Sequence, residues 1–239
     1  MRILVVNDDG IRAPGIERLA RFAAQLGEVW VVAPEKQSSG MSQKLTLFEE
    51  VLLRKETFPV SVCGAWSVGG TPADCVKIAL DCLLDRRPDY VFSGINNGYN
   101  AGFDIAYSGT IGACFEAVMN GIPAIAFSAA SEHDADCAER WLLPIARELI
   151  ALGQGPGEIW NVNFPAGTAE DCKGILRERR IAPMQLYEGT YFRRPHRTGA
   201  EIVTQTGVPI GPGLAPEDSD IAALQMGYIS VGRIKSPVM

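Results

Sequence analysis

The chain lacks the short motifs that mark several common enzyme classes. Its 239 residues contain no G-x-x-x-x-G-K-[ST] sequence, which argues against a P-loop NTPase. No G-x-G-x-x-G follows the first apolar run, so dinucleotide binding is unsupported. No G-x-S-x-G is present to indicate an α/β-hydrolase. The chemistry of this chain must therefore be sought in other residues.

Positive charge and histidine are also scarce. Twenty-two lysines and arginines stand against 28 acidic residues, giving a net charge of −6, and this argues against a general binder of nucleic-acid polymers. The two histidines, His133 and His196, lie far apart in the sequence, so we expect surface or core roles rather than a catalytic pair. The arginines near 177–180 and 193–197 are expected to form a solvated or intersubunit face.

Long apolar runs and paired cysteines are missing as well. No run reaches transmembrane length, and no basic-then-apolar leader opens the sequence, so no membrane association is expected. The six cysteines are scattered and form no C-x-x-C pair. Together these features lead us to expect a reduced, cytoplasmic setting.

What the chain does have is an alternation of short apolar runs and helical periodicity. With 47% hydrophobic residues, it is long enough for one α/β core. The pattern predicts a doubly wound, mainly parallel sheet. Predicted strands cover 2–6, 29–33, 90–93, 124–128, 160–164 and 228–234, and predicted helices cover 14–26, 71–84, 108–120, 137–152 and 219–226.

Two stretches depart from this alternation of strand and helix patterns. Residues 45–68 are predicted to be a β-rich excursion from the parallel core, because short apolar runs are broken by charges, proline and glycine. From 166 onward the chain becomes irregular. We therefore expect a single domain over 1–239, with an α/β core over 1–165 and a β-rich C-terminal extension over 166–239 that packs on a partner subunit.

The first ten residues contain an acidic pair. Asp8 and Asp9 directly follow the predicted strand Arg2–Val6, at the strand end where open α/β sheets bind ligands. Adjacent like charges need a compensating positive charge or a shared proton, and a divalent cation is the simplest compensator. The alternative is a plain turn, since Asn-Asp-Asp-Gly is also favourable turn chemistry.

Two further loops offer oxygen atoms at the same edge. Ser39 follows the second predicted strand, and Asn96 follows the strand that ends at Ser93. With Asp8 and Asp9 these form an all-oxygen set, which suits Mg²⁺, Mn²⁺ or Ca²⁺ rather than zinc. Taken singly, a serine or an asparagine in a loop is more typical of turns.

Ser108, Gly109 and Thr110 open a predicted helix. Free backbone N–H groups, two hydroxyls and the positive end of the helix dipole make such a start suitable for binding phosphate. The alternative is that Ser108 simply caps the helix.

Several motifs in fixed order resemble the survival protein E (SurE) family. The resemblance runs from residue 1 to about 130 and resumes near the C-terminus, so it covers nearly the whole chain. The strings are NDDG at 7–10, SSG at 38–40, GGTPADCVKIAL at 69–80, SGINNGYN at 93–100, YSGTIGACFEA at 107–117, NVNFP at 161–165 and DSDIAALQMGYISV at 218–231.

The resemblance implies a metal-dependent 5′-nucleotidase acting on nucleoside monophosphates. It implies a Rossmann-like core with one divalent ion, Mg²⁺ or Mn²⁺, per subunit, and exchange of C-terminal segments in a homodimer or homotetramer. The implied metal ligands are Asp8, Asp9, Ser39 and Asn96, and the implied phosphate-binding residues are Asn100, Ser108, Gly109 and Thr110. Residues 168–215 match least.

We interpret Asp8 as the carboxylate that takes a proton from the attacking water, with a direct nucleophilic role as the alternative. Two other functions compete with hydrolysis. One is a nucleotide- or phosphate-binding module without catalysis. The other is a receiver-like signalling domain, although such domains are shorter and need a phospho-acceptor aspartate where this chain has Ser93 to Asn96.

Overall fold

The computed structural model describes residues 1–131 and 136–239, so His133 lies outside the described residues. Besides a π-helix at Ala79–Leu83 and a 3₁₀-helix at Gly102–Tyr107, eleven strands and five α-helices are described within these ranges. They are β1 (Arg2–Val6), α1 (Pro14–Ala23), β2 (Glu28–Pro34), β3 (Leu53–Lys55), β4 (Gly64–Val68), α2 (Pro72–Ile78), β5 (Tyr90–Asn97), α3 (Gly109–Met119), β6 (Ala124–Ala129), α4 (Asp136–Leu152), β7 (Glu158–Phe164), β8 (Ile175–Leu176), β9 (Tyr187–Pro195), β10 (Glu201–Pro209), α5 (Asp220–Gln225) and β11 (Ile229–Lys235).

Nine of the strands form one sheet in the order β3-β4-β2-β1-β5-β6-β7-β11-β8. The six strands from β4 to β7 are all parallel to their neighbours. From β1 the chain moves outward through β2 to β4 and then returns to add β5 on the other side of β1. The topology therefore reverses between β1 and β5, and it is outside such a reversal that open α/β sheets bind ligands.

Strand β1 is buried on both faces, which explains its continuous apolar sequence. Ile3 and Val5 face the apolar cluster that includes α1 and α4, whereas Leu4 and Val6 face the cluster that includes α2 and α3. The alternation of side chains along a strand thus fixes two helical layers on the two faces. This is the doubly wound α/β fold that the sequence predicts.

The prediction for residues 45–68 is partly wrong. Only β3 is antiparallel, pairing with β4 at the sheet edge, while β4 itself lies parallel to β2 inside the main sheet. Charges and proline before Gly64 made this stretch look irregular. Strand β4 lies inside the sheet nonetheless, because Ala65 pairs with Val31 of β2. Local sequence does not reveal this pairing, since β2 is distant in the chain.

Strand β5 runs to Asn97, four residues beyond the predicted end. Its pairing with β6 shifts between Ser93 and Asn96, and Gly94 has a φ of +128°. A side chain at Gly94 would collide with the backbone oxygen of Phe127 at 2.1 Å. Glycine therefore permits the irregularity, and Asn96 is placed at the end of a strand rather than in a free loop.

The C-terminal third contributes to the main sheet and also forms a separate hairpin. Strand β11 pairs antiparallel with β7, and β8 pairs with β11. Strands β9 and β10 pair with each other in a second, two-stranded sheet, and every residue of β9 is exposed. The boundary expected at residues 165 and 166 stays a prediction. No helix among the described residues is long and apolar enough to cross a membrane.

Candidate active site

The acidic turn after β1 is closed by its flanking residues. The side-chain amide of Asn7, which is fully buried, donates to the Gly10 carbonyl at 2.9 Å, and its Oδ1 accepts from the Gly10 N–H at 3.2 Å. Gly10 has a φ of +102°, a conformation that favours glycine. Asn7 and Gly10 thus make the turn, while the carboxylates of Asp8 and Asp9 contact residues elsewhere in the chain.

Asp8 is buried, with 3% of its surface exposed, and lies against the start of α3. The Thr110 hydroxyl donates to Asp8 Oδ1 at 2.7 Å. Burial raises the pKa of Asp8 from its usual 3.8 to about 6; hydrogen bonds from Thr110 oppose this shift, and the charge of Asp9 adds to it.

The closeness of Asp8 to α3 depends on Gly109. A Cβ at position 109 would lie 2.9 Å from Asp8 Cβ, 3.2 Å from Asp8 Oδ2 and 3.0 Å from Pro72 Cγ. Glycine therefore lets the first turn of an 11-residue helix contact the carboxylate directly. The positive end of the helix dipole stabilises negative charge at this point.

Asp9 and Asn96 line one cavity of about 220 Å³ at the end of β1 and β5. The Asn97 N–H donates to Asp9 Oδ2 at 2.9 Å, joining the two strand ends. The Asn96 side-chain amide donates to the Gly98 carbonyl at 2.7 Å. Because its NH₂ group is held in this way, the carbonyl oxygen is the atom that Asn96 can offer to a cation.

The loop after β2 lies beside the acidic turn. The Ser38 N–H donates to the Asp8 backbone carbonyl at 2.7 Å, and the Ile11 N–H donates to the Pro34 carbonyl at 2.9 Å. Ser39 is exposed, and its hydroxyl accepts a hydrogen bond from Gln37 at 3.2 Å. Ser39 is therefore adjacent to the cavity through Gln37, which lines it.

Of the residues expected to bind phosphate, Gly109 and Thr110 lie against Asp8. Ser108 caps α3, its hydroxyl accepting from the Ile111 N–H at 3.1 Å, so the capping alternative describes its contact here. Thr110 contacts Asp8, a contact that the sequence does not predict. Asn100 is buried, and its side-chain amide donates to the Ser128 hydroxyl at 2.8 Å.

The sequence reading missed three buried residues that hold Asn100. These are Ser128 on β6 and Asn161 and Asn163 on β7, which contact the side chain or backbone of Asn100. Two asparagines in an otherwise apolar strand were the available signal, because buried polar side chains need hydrogen-bond partners.

The donor set fits a hard divalent cation. Among the described residues, no group of three or more His, Cys, Asp and Glu side chains is arranged to hold a metal. A cation here would therefore be held by the two carboxylates together with neutral oxygens such as those of Asn96 and Ser39, which is chemistry typical of Mg²⁺ and Mn²⁺. The buried carboxylate of Asp8, next to the second negative charge of Asp9, is the observation that favours such an ion.

Comparisons with known proteins point to one family. The family model described as "Survival protein SurE" matches residues 3–184. A protein of Desulforudis audaxviator (strain MP104C) named 5′-nucleotidase SurE is 36% identical over 241 residues, covering 98% of this chain and 91% of that protein. Another of the same name from Moorella thermoacetica (strain ATCC 39073 / JCM 9320) is 40% identical over 233 residues, covering 97% and 88%.

A solved structure is similar over nearly the whole chain. The crystal structure of the SurE protein from Aquifex aeolicus matches with a TM-score of 0.82 at 35% sequence identity, covering 98% of this chain and 93% of that one. With the family model matching well over half of its residues, this chain belongs to the survival protein SurE family.

Proposed function

We propose that this chain is a 5′-nucleotidase that hydrolyses nucleoside 5′-monophosphates to nucleoside and inorganic phosphate. The relatives named 5′-nucleotidase SurE support the activity. The observation that carries the proposal to particular residues is the buried carboxylate of Asp8, adjacent to Asp9 and against the first turn of α3. Anionic substrate groups are favoured at that helix start.

The proposal includes one divalent cation per subunit, Mg²⁺ or Mn²⁺. Its proposed ligands are Asp8, Asp9, Ser39 and Asn96, in agreement with the all-oxygen donor set. A divalent cation bound there supplies positive charge to the phosphoryl oxygens and acidifies water.

The chain's own groups would orient the reactants and transfer the proton. Thr110 holds Asp8 Oδ1, which leaves Oδ2 directed along the side where Gly109 has no side chain. From this position Asp8 would accept the proton of the attacking water. A general base must lie within hydrogen-bond reach of the water that it deprotonates. Asn100, Ser108 and the N–H groups at Gly109 and Thr110 would hold the phosphoryl group in line for attack.

The assembly is proposed to be a homodimer or homotetramer. Strands β9 and β10 pair only with each other among the described residues, and an isolated two-stranded hairpin is marginally stable in water. Tyr191, Phe192 and Val203 are more than half exposed on this hairpin. Burial of these side chains on another subunit, within the proposed extension 166–239, would stabilise it.

We also propose a cytoplasmic location. All six cysteines are free, which agrees with a reducing compartment.

The direct test is phosphate release from AMP, GMP and a generic aryl phosphate, measured with added Mg²⁺ or Mn²⁺. We expect turnover of nucleoside monophosphates by the wild-type protein and its loss in Asp8→Asn. Binding of AMP without phosphate release would instead indicate a non-catalytic binding module. Incorporation of label from a phosphodonor would indicate a receiver-like protein, and either result would overturn the proposal.

A further inference from the structure

Three polar residues occupy one row across the ends of three neighbouring strands. Asn96 on β5 pairs in register with Ser128 on β6, and Ser128 pairs with Asn163 on β7. Ser128 and Asn163 are fully buried. The row therefore extends from the cavity that Asn96 lines into the sheet interior.

Asn163 makes two hydrogen bonds to the backbone of one residue, Asn100. Its Oδ1 accepts from the Asn100 N–H at 2.9 Å, and its Nδ2 donates to the Asn100 carbonyl at 3.0 Å. Asn161 adds a second donor to the same carbonyl at 2.9 Å. Both backbone polar groups of Asn100 are thus held by side chains of a single strand, 61 and 63 residues away in sequence.

This arrangement fixes where the Asn100 side chain points. Holding the N–H and the carbonyl of one residue restricts its backbone orientation, and Ser128 takes one of the two N–H groups of its side-chain amide. The remaining amide atoms of Asn100 are thereby presented in one direction. Burying a side-chain amide costs free energy unless its hydrogen bonds are made. If Asn161 and Asn163 served packing alone, apolar residues would fill the same space equally well.

We propose that Asn163 is a positioning residue for the hydrolytic reaction. It acts through Asn100, on the segment of residues 98–107 that links β5 to α3, and it does not touch the substrate. Asn161 has the same role through a single hydrogen bond. The inference rests on the proposed function, because it assigns Asn100 to the phosphoryl group.

Asn163→Ala tests the proposal, with Val162→Ala as the matched control. Val162 is the adjacent residue of β7, is fully buried and packs in the apolar cluster beneath α1 and α4, so its truncation destabilises the same strand without touching Asn100. Two quantities are measured for each variant: kcat and KM for AMP, and amide hydrogen exchange of residues 98–107.

We expect Asn163→Ala to lower kcat about 10- to 100-fold with KM changed less than about threefold, since small displacements of positioning groups act on the transition state. Exchange within 98–107 should become at least about tenfold faster. Val162→Ala should keep kcat within about twofold of wild type, even where its melting temperature falls as far as that of Asn163→Ala. If Asn163→Ala does not fold, Asn161→Ala is used, with an expected loss in kcat of about three- to tenfold.

The proposal is overturned if Asn163→Ala and Val162→Ala have the same kcat and the same exchange rates. Failure of the proposed function is distinguishable, because wild-type protein would then release no phosphate from AMP. In that case the role in hydrolysis fails with the proposed function, and hydrogen exchange tests the structural part alone: faster exchange of 98–107 in Asn163→Ala supports the claim that Asn163 holds Asn100, and unchanged exchange overturns it.

Discussion

Thr110 donates a hydrogen bond from its hydroxyl to Asp8 Oδ1 at 2.7 Å, joining residues 102 positions apart at the start of α3. The bond favours the ionised carboxylate in a buried place that disfavours it. A hydroxyl predicted to bind phosphate thus contacts the candidate base.

Thr110→Val replaces this hydroxyl with a methyl group of similar size. Loss of the donor removes a contact that lowers the pKa of Asp8, so that pKa should rise further. In the metal-free protein, the loss of stability between about pH 4 and pH 7.5 should then be larger than in wild type, and urea unfolding in EDTA across this range measures it. Thr110→Ser keeps the hydroxyl and should keep the wild-type pH dependence. An unchanged pH dependence in Thr110→Val would contradict this role.

Asp8→Asn should make the metal-free protein more stable near neutral pH. The pKa of Asp8 in the folded protein, about 6, is above its ordinary value of 3.8, so ionisation of Asp8 opposes folding. Stability is therefore lost as the pH rises from about 4 through 6, and the variant should exceed wild type at pH 7.5 by about 2–3 kcal/mol, the equivalent of two pKa units.

The measurement is urea unfolding in EDTA at pH 7.5 and pH 3.5. The difference should nearly disappear at the lower pH, where Asp8 is protonated in folded wild type and mostly protonated in the unfolded chain. Mn²⁺ should reverse the order at pH 7.5 by stabilising wild type alone. A variant no more stable than wild type in EDTA at pH 7.5 would be evidence against a destabilising charge at Asp8.

Gly109→Ala should impair hydrolysis while leaving the fold intact. Alanine is favourable in a helix, but its Cβ would lie 2.9 Å from Asp8 Cβ, so the carboxylate and the helix start must separate. We expect kcat to fall about 10- to 100-fold with a far-ultraviolet CD spectrum like that of wild type. Gly211→Ala is the control, because a Cβ there meets no atom within 4 Å. Equal kcat in both variants would refute the close-approach argument.

Asp220→Ala should destabilise the protein through its backbone partners. The buried carboxylate of Asp220 accepts from the N–H groups of Gly102, Ala182 and Ile221, at 2.9, 2.9 and 2.8 Å. Its removal leaves buried donors unpaired, at a cost of about 2–4 kcal/mol in the free energy of unfolding. Urea denaturation measures this. Asp218→Ala, which removes an exposed carboxylate, should cost less than about 0.5 kcal/mol. Equal losses of stability in the two variants would contradict the contribution of the Asp220 hydrogen bonds.

Local sequence patterns were sufficient where a structure depends on neighbours in the chain. The apolar run of β1 and the capping alternative for Ser108 both depend on only a few adjacent residues, and the structure has both. The parallel order of β1, β2 and β5 then brings their following residues to one edge.

The missed features depend on pairings between distant segments. Strand β4 is placed by β2, and Asn163 is explained only by Asn100, 63 residues away. The contact of Thr110 with Asp8 arises because Gly109 lets two separate elements meet. No periodicity or turn signal encodes such contacts. The sequence therefore predicted that the candidate site lies at one edge of the sheet, but not the hydrogen bonds between its residues.

The central claim is that the edge carrying Asp8 and Asp9 hydrolyses nucleoside monophosphates with a bound divalent cation. The most direct measurement is phosphate release from AMP by one preparation, first in excess EDTA and then after replacement with Mn²⁺. The account predicts loss of turnover on chelation and its return with Mn²⁺ in wild type, with no return in Asp8→Asn or Asp9→Asn. Undiminished phosphate release in EDTA, or full activity of either variant with Mn²⁺, would contradict it.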